Sequence, residues 1–435
     1  MDTLTRRRFL IGSGVVGGAA LLAGSAGVTR AELAQRASET PMAPGSAILV
    51  LVTMYGGNDG INTVIPYADP AYHDARPELA YAPGDVLHLD DTLGLNPAMK
   101  GMAELWQRKN LAIVRGAGYP QPDHSHFRSM DIWQTASPSE PSNTGWLGRW
   151  LDATGDDPVR AVNIGAVLPP LAVGNKSTAA ALPLGKTTPL AADLATALHG
   201  LGGVDAADSP SDAMVCASYR AERTVASTFT PALDPNAQAP DHTTEAKGGS
   251  GGGQQGLAEQ LDLVARCIKV GVPTKAYAVS LGGFDTHADE RGTQQALLGA
   301  LDGAVSKFLS DMAGDPRGKN VVLVAYSEFG RRVQANASQG TDHGTAGPVF
   351  VAGQPVKGGS TAPSRVSPTW TMATFAPMWT SAASTVRCCT GGSTPTPSRY
   401  SAAASPSWAC CAPSAVLRRP GRFTAGADRL LRASR

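Results

Sequence analysis

Three apolar segments of the chain each end in a group of polar residues, and this repetition constrains the fold more than any other feature. The segments read LVLVTMYGGNDG, AYAVSLGGFDTH and VVLVAYSEFGRR, and each apolar run has the length and composition of a buried strand. Apolar residues on one helical face separate them, over 257–268 and again over 298–312. Strands that alternate with helices predict an α/β fold: a doubly wound, mostly parallel sheet with helices on both faces.

The polar strand ends predict a metal site. In an open parallel sheet, ligands bind beyond the carboxyl ends of the strands. These ends carry Asp59, Asp285 with His287, and Glu328, and His343 precedes a further apolar run and is expected to reach the same cleft. Carboxylate oxygens combined with imidazole nitrogens suit a divalent metal such as zinc or manganese better than calcium, which prefers oxygen alone. For Asp285 and His287 taken alone, a turn carboxylate and a surface histidine are an equally good interpretation.

The segment PDHSHFRS is a second candidate site. Ser125 lies between two histidines where a helix should begin, and a helix N-terminus favours an anion. Taken alone, the segment is better interpreted as an N-cap serine with ordinary histidines. Next to a metal, Ser125 becomes a candidate nucleophile, and His126 or His124 a metal ligand or proton carrier. Three nearby arginines are candidate anion clamps or, equally, solvated side chains: Arg128, Arg331 and Arg332.

The N-terminus predicts export. An arginine cluster, Arg6 to Arg8, precedes a weakly apolar run rich in Gly and Ala, so residues 1–37 are expected to be a signal peptide and spacer. The order Thr-Arg-Arg-Arg-Phe-Leu is typical of a twin-arginine signal, which implies the twin-arginine translocase as a partner and a periplasmic, envelope or secreted location. An N-terminal membrane anchor is the alternative. A formal net charge of +1 argues against a nucleic-acid-binding surface, so no nucleic-acid partner is expected.

Two further segments differ from the rest of the chain. Residues 157–256 have weak periodicity and end in a Gly-rich loop, which predicts an irregular cap or insertion within a domain spanning 46–359. Residues 360–435 contain four cysteines and three tryptophans among many Ser, Thr and Pro, with no acidic residue before Asp428. Such a composition suits neither a folded helix nor a disordered stalk. We interpret this tail as the out-of-frame product of a frame shift near Gly359.

Six motifs in order resemble the bacterial domain-of-unknown-function-1501 family: YGGNDGINTVIPY, HSHFRSMDIWQT, GWLGR, GGFDTH, SEFGRR and GTDHGTAGPVF. The resemblance covers residues 46 to about 359, and it implies a twin-arginine signal. That family is in turn similar to the alkaline phosphatase and sulfatase superfamily. It therefore implies an alkaline-phosphatase-like fold, and a metal-assisted Ser, Thr or formylglycine nucleophile acting on phosphate or sulfate esters.

Carried onto this chain, the resemblance implies that Asp59 is a first-strand metal carboxylate and that Asp285 and His287 belong to one metal site. It implies that Glu328 is the carboxylate of an Asp-His-Gly motif and that His343 is a late histidine ligand. The chain departs from the pattern where Phe329 replaces the histidine of that motif. The family's usual ending, an acidic Asp-Phe-Arg segment, is also missing.

We therefore expect an exported metal-dependent hydrolase of phosphate or sulfate esters, whose substrate is an anionic ester. The rival expectation is a non-catalytic envelope or polysaccharide-binding protein that keeps the fold after losing a metal site. Phe329 is the residue that favours the rival. No apolar run other than the one near the N-terminus is long enough to span a membrane.

Overall fold

A large mixed sheet lies at the centre of the chain in a computed structural model that describes residues 41–155, 157–165, 168–182, 184 and 256–361. The expected signal peptide, most of the Gly-rich loop and the expected out-of-frame tail after residue 361 lie outside the described residues. The described strands, in chain order, are β1 (Ile48–Met54), β2 (Val64–Ile65), β3 (Leu87–His88), β4 (Gly94–Leu95), β5 (Leu111–Ala117), β6 (Ala161–Ile164), β7 (Ala180–Leu182), β8 (Ala276–Leu281), β9 (Val321–Tyr326), β10 (Gly347–Ala352) and β11 (Gly359–Thr361).

Eight of these strands form the large sheet, in the order β11-β5-β10-β9-β1-β8-β6-β7. Neighbouring strands are parallel except at β10, which is antiparallel to both β5 and β9. The three short strands β2, β4 and β3 form a separate antiparallel sheet. The prediction of a mostly parallel sheet is therefore confirmed, with one antiparallel strand inserted near its edge.

Helices cover both faces of the large sheet. They are α1 (Pro70–Ala75), α2 (Lys100–Gln107), α3 (His126–Thr135), α4 (Trp146–Thr154), α5 (Gly256–Val270) and α6 (Glu290–Ala313). Along β1, Ile48, Val50 and Val52 face one core, which α2, α5 and α6 complete. Leu49 and Leu51 face a second core, which α3 and α4 complete. All seven residues of β1 are buried, which explains its uninterrupted apolar sequence and confirms the doubly wound arrangement.

The segment predicted to be an irregular cap contributes two strands to the large sheet. β6 pairs with β8 and β7 pairs with β6, so the described part of 157–256 extends the sheet on that side. Their sequences, AVNI and AAL, are short and do not alternate between apolar and polar residues. Strands this short, buried and rich in alanine carry no periodic signal, so the sequence did not predict these two strands. Within the described part of the chain, no helix has both the length and the apolar character needed to cross a membrane.

Candidate metal centre

Five chain segments meet at the carboxyl edge of the large sheet. The loops after β1, β8 and β9 leave this edge because those strands are parallel. The loop before β10 reaches the same edge because β10 is antiparallel, and α3 begins there after β5. This topology brings five of the predicted site residues together. His126 contacts Asp285, Glu328 and His343, and His287 contacts Asp285 and His343.

Two glycines after β1 allow the loops to approach closely. Gly56 has a φ of +117°, and a Cβ atom there would lie 2.4 Å from the backbone nitrogen of Asp285. Gly57 has a φ of +72°, and a Cβ atom there would lie 2.2 Å from the ring of Phe329. Side chains other than glycine adopt such φ values rarely, so the YGG sequence is required by both conformation and space.

Asp285 is the centre of the site. Its Oδ1 atom lies 3.0 Å from Nε2 of His287, 3.1 Å from Nε2 of His343 and 2.7 Å from Nη2 of Arg331. Its Oδ2 atom faces Nε2 of His126 at 3.5 Å. The two oxygens therefore have different surroundings, since only Oδ1 contacts the arginine.

Two imidazoles are held so that Nε2 points inward. Nδ1 of His126 lies 2.9 Å from Oε1 of Glu328, and Nδ1 of His343 donates to the carbonyl oxygen of His124 at 2.7 Å. Partners of this kind orient histidine ligands and fix their tautomers in metal sites. Nε2 of His126 is buried and faces Oδ2 of Asp285 at 3.5 Å, and no described residue forms a hydrogen bond with it.

One ligand atom each from His126, Asp285 and His343 can be chosen so that all three lie within 4.8 Å of one another. Two imidazole nitrogens and one carboxylate oxygen form a donor set that suits zinc, and the orphaned nitrogen of His126 has the chemistry of a ligand atom. The residues therefore fit a divalent cation.

Charge is concentrated at this site. Close contacts with the carboxylates of Asp285 and Glu328 raise the pKa of His126 to about 9. Partial burial raises the pKa of Asp285, but contacts with His126, Arg331 and His343 outweigh it and hold that pKa well below its usual range. Without a metal, His126 is thus an imidazolium between two carboxylates, and a bound cation has to displace its proton.

Glu328 lies behind the ligand group instead of within it. Its side chain is 1% exposed, and Oε1 accepts hydrogen bonds from the backbone nitrogen of Gly56 and from His126, both at 2.9 Å. Oε2 accepts from Oγ of Ser327 at 2.9 Å. These bonds allow Glu328 to orient His126, and its role as a direct ligand stays a prediction.

Asp59 does not join the ligand group, although it was predicted to be a ligand. Its carboxylate is fully buried and is bound by both terminal nitrogens of Arg76, whose side chain is also fully buried. Burial, together with the charge of Asp59 and a hydrogen bond to it, raises the pKa of Glu290 to about 9. Glu290 is therefore protonated at neutral pH, in a buried polar cluster with Asp59 and Arg76.

Ser125 caps α3. Its Oγ atom accepts from the backbone nitrogen of Arg128 at 3.5 Å, and its own backbone nitrogen donates to Oδ1 of Asp123 at 2.7 Å. The N-cap interpretation therefore describes its hydrogen bonding. The residue is exposed and directly precedes His126, and its role as nucleophile stays a prediction.

The three candidate anion clamps have different surroundings. Arg331 has a completely buried side chain, so it is neither a clamp nor a solvated arginine. Arg128 is paired with Asp131 at 2.5 Å on its own helix. Arg332 has an exposed side chain, 3.8 Å from Asp342.

Phe329 forms an apolar wall at the position that corresponds to the histidine of the Asp-His-Gly motif. Its ring centroid lies 4.9 Å from that of His126 and 4.8 Å from that of His343, and the residue is 1% exposed. It therefore packs against two candidate ligands and offers no ligand atom.

Sequence reasoning missed three residues: Arg76, Glu290 and Arg331 in its buried form. The doubled arginine after SEFG was the available signal for Arg331, but solvated and buried arginines look alike in a sequence. Arg76 lies 17 residues after Asp59, and Glu290 lies much further along the chain. No sequence motif connects either residue with Asp59. Only the packing of α1 and of the start of α6 near the β1 loop brings them to Asp59.

The chain is similar in structure to several solved proteins. A protein of the alkaline phosphatase superfamily from Vibrio parahaemolyticus has 12% identity and a TM-score of 0.35, with 74% of this chain and 64% of that one covered. The C-terminal periplasmic domain of EcEptC from Escherichia coli, in complex with Zn, has 11% identity and a TM-score of 0.35, with coverages of 72% and 76%. A putative sulfatase from Bacteroides thetaiotaomicron has 13% identity and a TM-score of 0.33, with coverages of 78% and 71%.

This chain thus spans less than two thirds of the Vibrio protein. No curated protein matches the sequence. A family model described as a protein of unknown function, DUF1501, matches residues 46–365, which is most of the chain and includes every residue of the candidate metal centre. The chain belongs to the DUF1501 family.

Proposed function

We propose that the protein is an exported metal-dependent hydrolase of phosphate or sulfate esters. The observation that carries this proposal is the convergence of His126, Asp285 and His343, with Nε2 of His126 buried and without a hydrogen bond from any described residue. A polar atom in that state is costly unless something binds it. Zinc or manganese suits this donor set best.

A divalent ion bound by these residues supplies Lewis-acid stabilisation of the negative charge that develops on an ester during hydrolysis. The chain's own groups complement it. The first amide groups of α3 have no intrahelical acceptor, and a helix N-terminus favours an anionic group. Glu328 holds the ring of His126, and the backbone carbonyl of His124 holds that of His343. These contacts keep both Nε2 atoms aimed inward without reorganisation.

Ser125 is our candidate nucleophile, and water is the alternative. As the N-cap, its hydroxyl accepts the Arg128 amide hydrogen bond through a lone pair and keeps its own proton available for transfer. Attack by its oxygen on the phosphorus or sulfur atom forms a covalent ester and releases the alcohol. Hydrolysis of that ester by water then regenerates the serine. The exposed His124 is the candidate proton carrier, because the ion and Glu328 would engage both ring nitrogens of His126.

Phe329 supports a second candidate function, a non-catalytic protein of the cell envelope that binds anionic polysaccharide. Its apolar ring lies where the Asp-His-Gly motif of the alkaline phosphatase and sulfatase superfamily has a histidine. One potential ligand is therefore absent from this group. Export through the twin-arginine translocase is part of both proposals and follows from the arginine cluster at the N-terminus.

Hydrolysis of an aryl phosphate and an aryl sulfate tests the proposal. The metal-stripped protein should be inactive, and zinc or manganese should restore activity. Asp285→Asn should reduce activity at least 100-fold, whereas Asp311→Asn, on the exposed surface of α6, should leave it unchanged. Metal binding without hydrolysis of either ester would favour the polysaccharide-binding function, and absence of metal binding would contradict the metal-dependent function.

A further inference from the structure

Arg331 is a buried cation at the back of the candidate metal centre. Its side chain is 0% exposed, although arginine is permanently charged. It donates to four backbone carbonyl oxygens: those of Gly56 at 2.5 Å, Gly57 at 2.6 Å, Phe284 at 2.9 Å and Thr341 at 2.9 Å. The guanidinium thus connects the loops that follow β1 and β8 to the loop before β10.

The remaining polar contacts of the Arg331 side chain involve Asp285 and His287 of the GGFDTH motif. Nη2 donates to Oδ1 of Asp285 at 2.7 Å, and Nη1 lies 3.5 Å from Nε2 of His287. A buried charge is costly unless it is paired, and Asp285 is the anion that Arg331 contacts directly. The motif that most resembles a metal-binding pair therefore already faces a fixed positive charge on one side.

The other side of Asp285 is arranged differently. Oδ2 faces His126 and has no contact with Arg331 at hydrogen-bond distance among the described residues. A second divalent ion on the Oδ1 side would share its ligands with the guanidinium and be repelled by it. Ions in two-metal sites lie about 3.5–4 Å apart, so each needs its own set of ligands.

Two predicted ligands that could complete a second set, Glu328 and Asp59, are engaged elsewhere. Glu328 is bonded to Gly56, His126 and Ser327, and Asp59 is paired with Arg76. The apolar ring of Phe329 packs beside the imidazoles of His126 and His343 and offers no ligand atom.

We propose that Arg331 is a built-in second cation, which holds Asp285 and His287 and restricts the centre to a single divalent ion bound through His126, Asp285 and His343. This inference rests on the proposed metal-dependent function. It makes Arg331 a positioning residue, because the guanidinium acts through Asp285.

Counting bound ions tests this inference. Zinc and, separately, manganese are titrated into the metal-stripped full chain, and the stoichiometry is measured by calorimetry and native mass spectrometry. The wild type should bind one equivalent. Two equivalents would overturn the inference and leave the proposed function standing. No binding would contradict the proposed metal-dependent function, and with it the inference.

Variants separate the charge of Arg331 from its hydrogen bonds. Arg331→Gln should bind a second equivalent, because Oδ1 of Asp285 and Nε2 of His287 lose their fixed cation. Arg331→Lys keeps the positive charge but lacks the planar guanidinium with its paired donors, and it should still bind one equivalent of metal. Arg332→Gln changes the neighbouring exposed arginine and should also stay at one.

Thermal unfolding and near-UV circular dichroism check that each variant is folded. A folded Arg331→Gln protein that still binds one equivalent would overturn the inference, as would two equivalents in Arg331→Lys. If Arg331→Gln does not fold, the number of ions bound by the wild type and by Arg331→Lys decides. One equivalent in both proteins would support the inference, and two equivalents in either would overturn it.

Discussion

Nδ1 of His126 lies 2.9 Å from Oε1 of Glu328, and this contact sets which nitrogen of the histidine faces the centre of the site. The two residues are 202 positions apart in the chain, at the start of α3 and after β9. Because Glu328 is buried and also accepts the amide hydrogen of Gly56, its position is fixed by the β1 loop. The orientation of a candidate ligand thus depends on the packing of three separate segments.

Replacing Glu328 by glutamine should weaken metal binding about 10–100-fold, because the amide orients His126 less strongly and removes a negative charge. Calorimetric titration of zinc into the metal-stripped protein measures the effect. Glu104→Gln is the matched control, since the Glu104 side chain is 63% exposed and far from the centre in the fold. Equal zinc affinities for Glu328→Gln and the wild type would contradict the orienting role.

Metal affinity should rise with pH. Asp285 and Glu328 raise the pKa of His126 to about 9, so below that pH the ring carries a proton that the ion must displace. The apparent zinc affinity should therefore increase by up to about tenfold per pH unit and level off above about pH 9. Titrations between pH 6 and pH 9 in the presence of a competing chelator measure this dependence. His126→Gln should bind zinc more weakly and flatten the slope, and an unchanged slope in this variant would contradict the assignment.

The pair between Asp59 and Arg76 should matter for stability and not for metal content. Arg76→Met would leave the Asp59 carboxylate buried without its counter-ion, which costs about 3–5 kcal/mol in the free energy of unfolding. The double variant with Asp59→Asn should recover part of this loss, because no unpaired charge remains. Arg108→Met removes an exposed arginine, 66% accessible, and should cost under about 1 kcal/mol.

Urea unfolding measures these costs, and zinc analysis of Asp59→Asn tests the other half of the prediction. This variant should bind as much zinc as the wild type. Loss of zinc from a folded Asp59→Asn protein would restore Asp59 as a ligand.

Stability should fall between about pH 5 and pH 9 because of Glu290. Its pKa is raised from 4.5 to about 9 in the folded protein by burial and by Asp59. A carboxyl group whose pKa is raised in the folded protein stabilises the fold fully below the pKa it has in the unfolded chain. That contribution is lost as pH rises through the pKa of the folded protein. The loss amounts to at most about 1.4 kcal/mol per pH unit.

Glu290→Gln should remove this loss, because the amide keeps the shape of the protonated acid and carries no charge at any pH. The free energy of unfolding in urea at pH 5, 7 and 9 measures the difference. Glu259→Gln is the matched control, since Glu259 lies in the first turn of α5 as Glu290 does in α6, and it is exposed. A wild type and a Glu290→Gln variant with parallel pH profiles would contradict the raised pKa of Glu290.

The sequence predicted the parts of the fold that repeat a strong local pattern. β1, β8 and β9 are buried on both faces and read as uninterrupted apolar runs, and α5 carries Leu257, Leu261, Val264 and Ile268 on one buried face. Their shared direction in the sheet then brings Asp285, His287, Glu328 and His343 to one edge. β6 and β7 lacked any such pattern, and the insertion that contains them was predicted to be irregular.

The division of roles within the site could not be predicted in the same way. Asp59 and Asp285 both follow buried strands, and nothing local distinguishes the carboxylate that Arg76 covers from the one that faces three histidines. Likewise, Arg331 and Arg332 are adjacent, yet one is buried and the other has a side chain that is 61% exposed. Such differences arise from which loops pack together, a property of contacts between residues distant in sequence.

Anomalous diffraction from crystals grown with zinc tests the central proposal most directly. We predict one anomalous peak bounded by Nε2 of His126, a carboxylate oxygen of Asp285 and Nε2 of His343, at about 2.0–2.2 Å from each ligand atom. A peak coordinated by Asp59 or Glu328 instead, or zinc-saturated crystals with no peak at the carboxyl edge of the sheet, would contradict it.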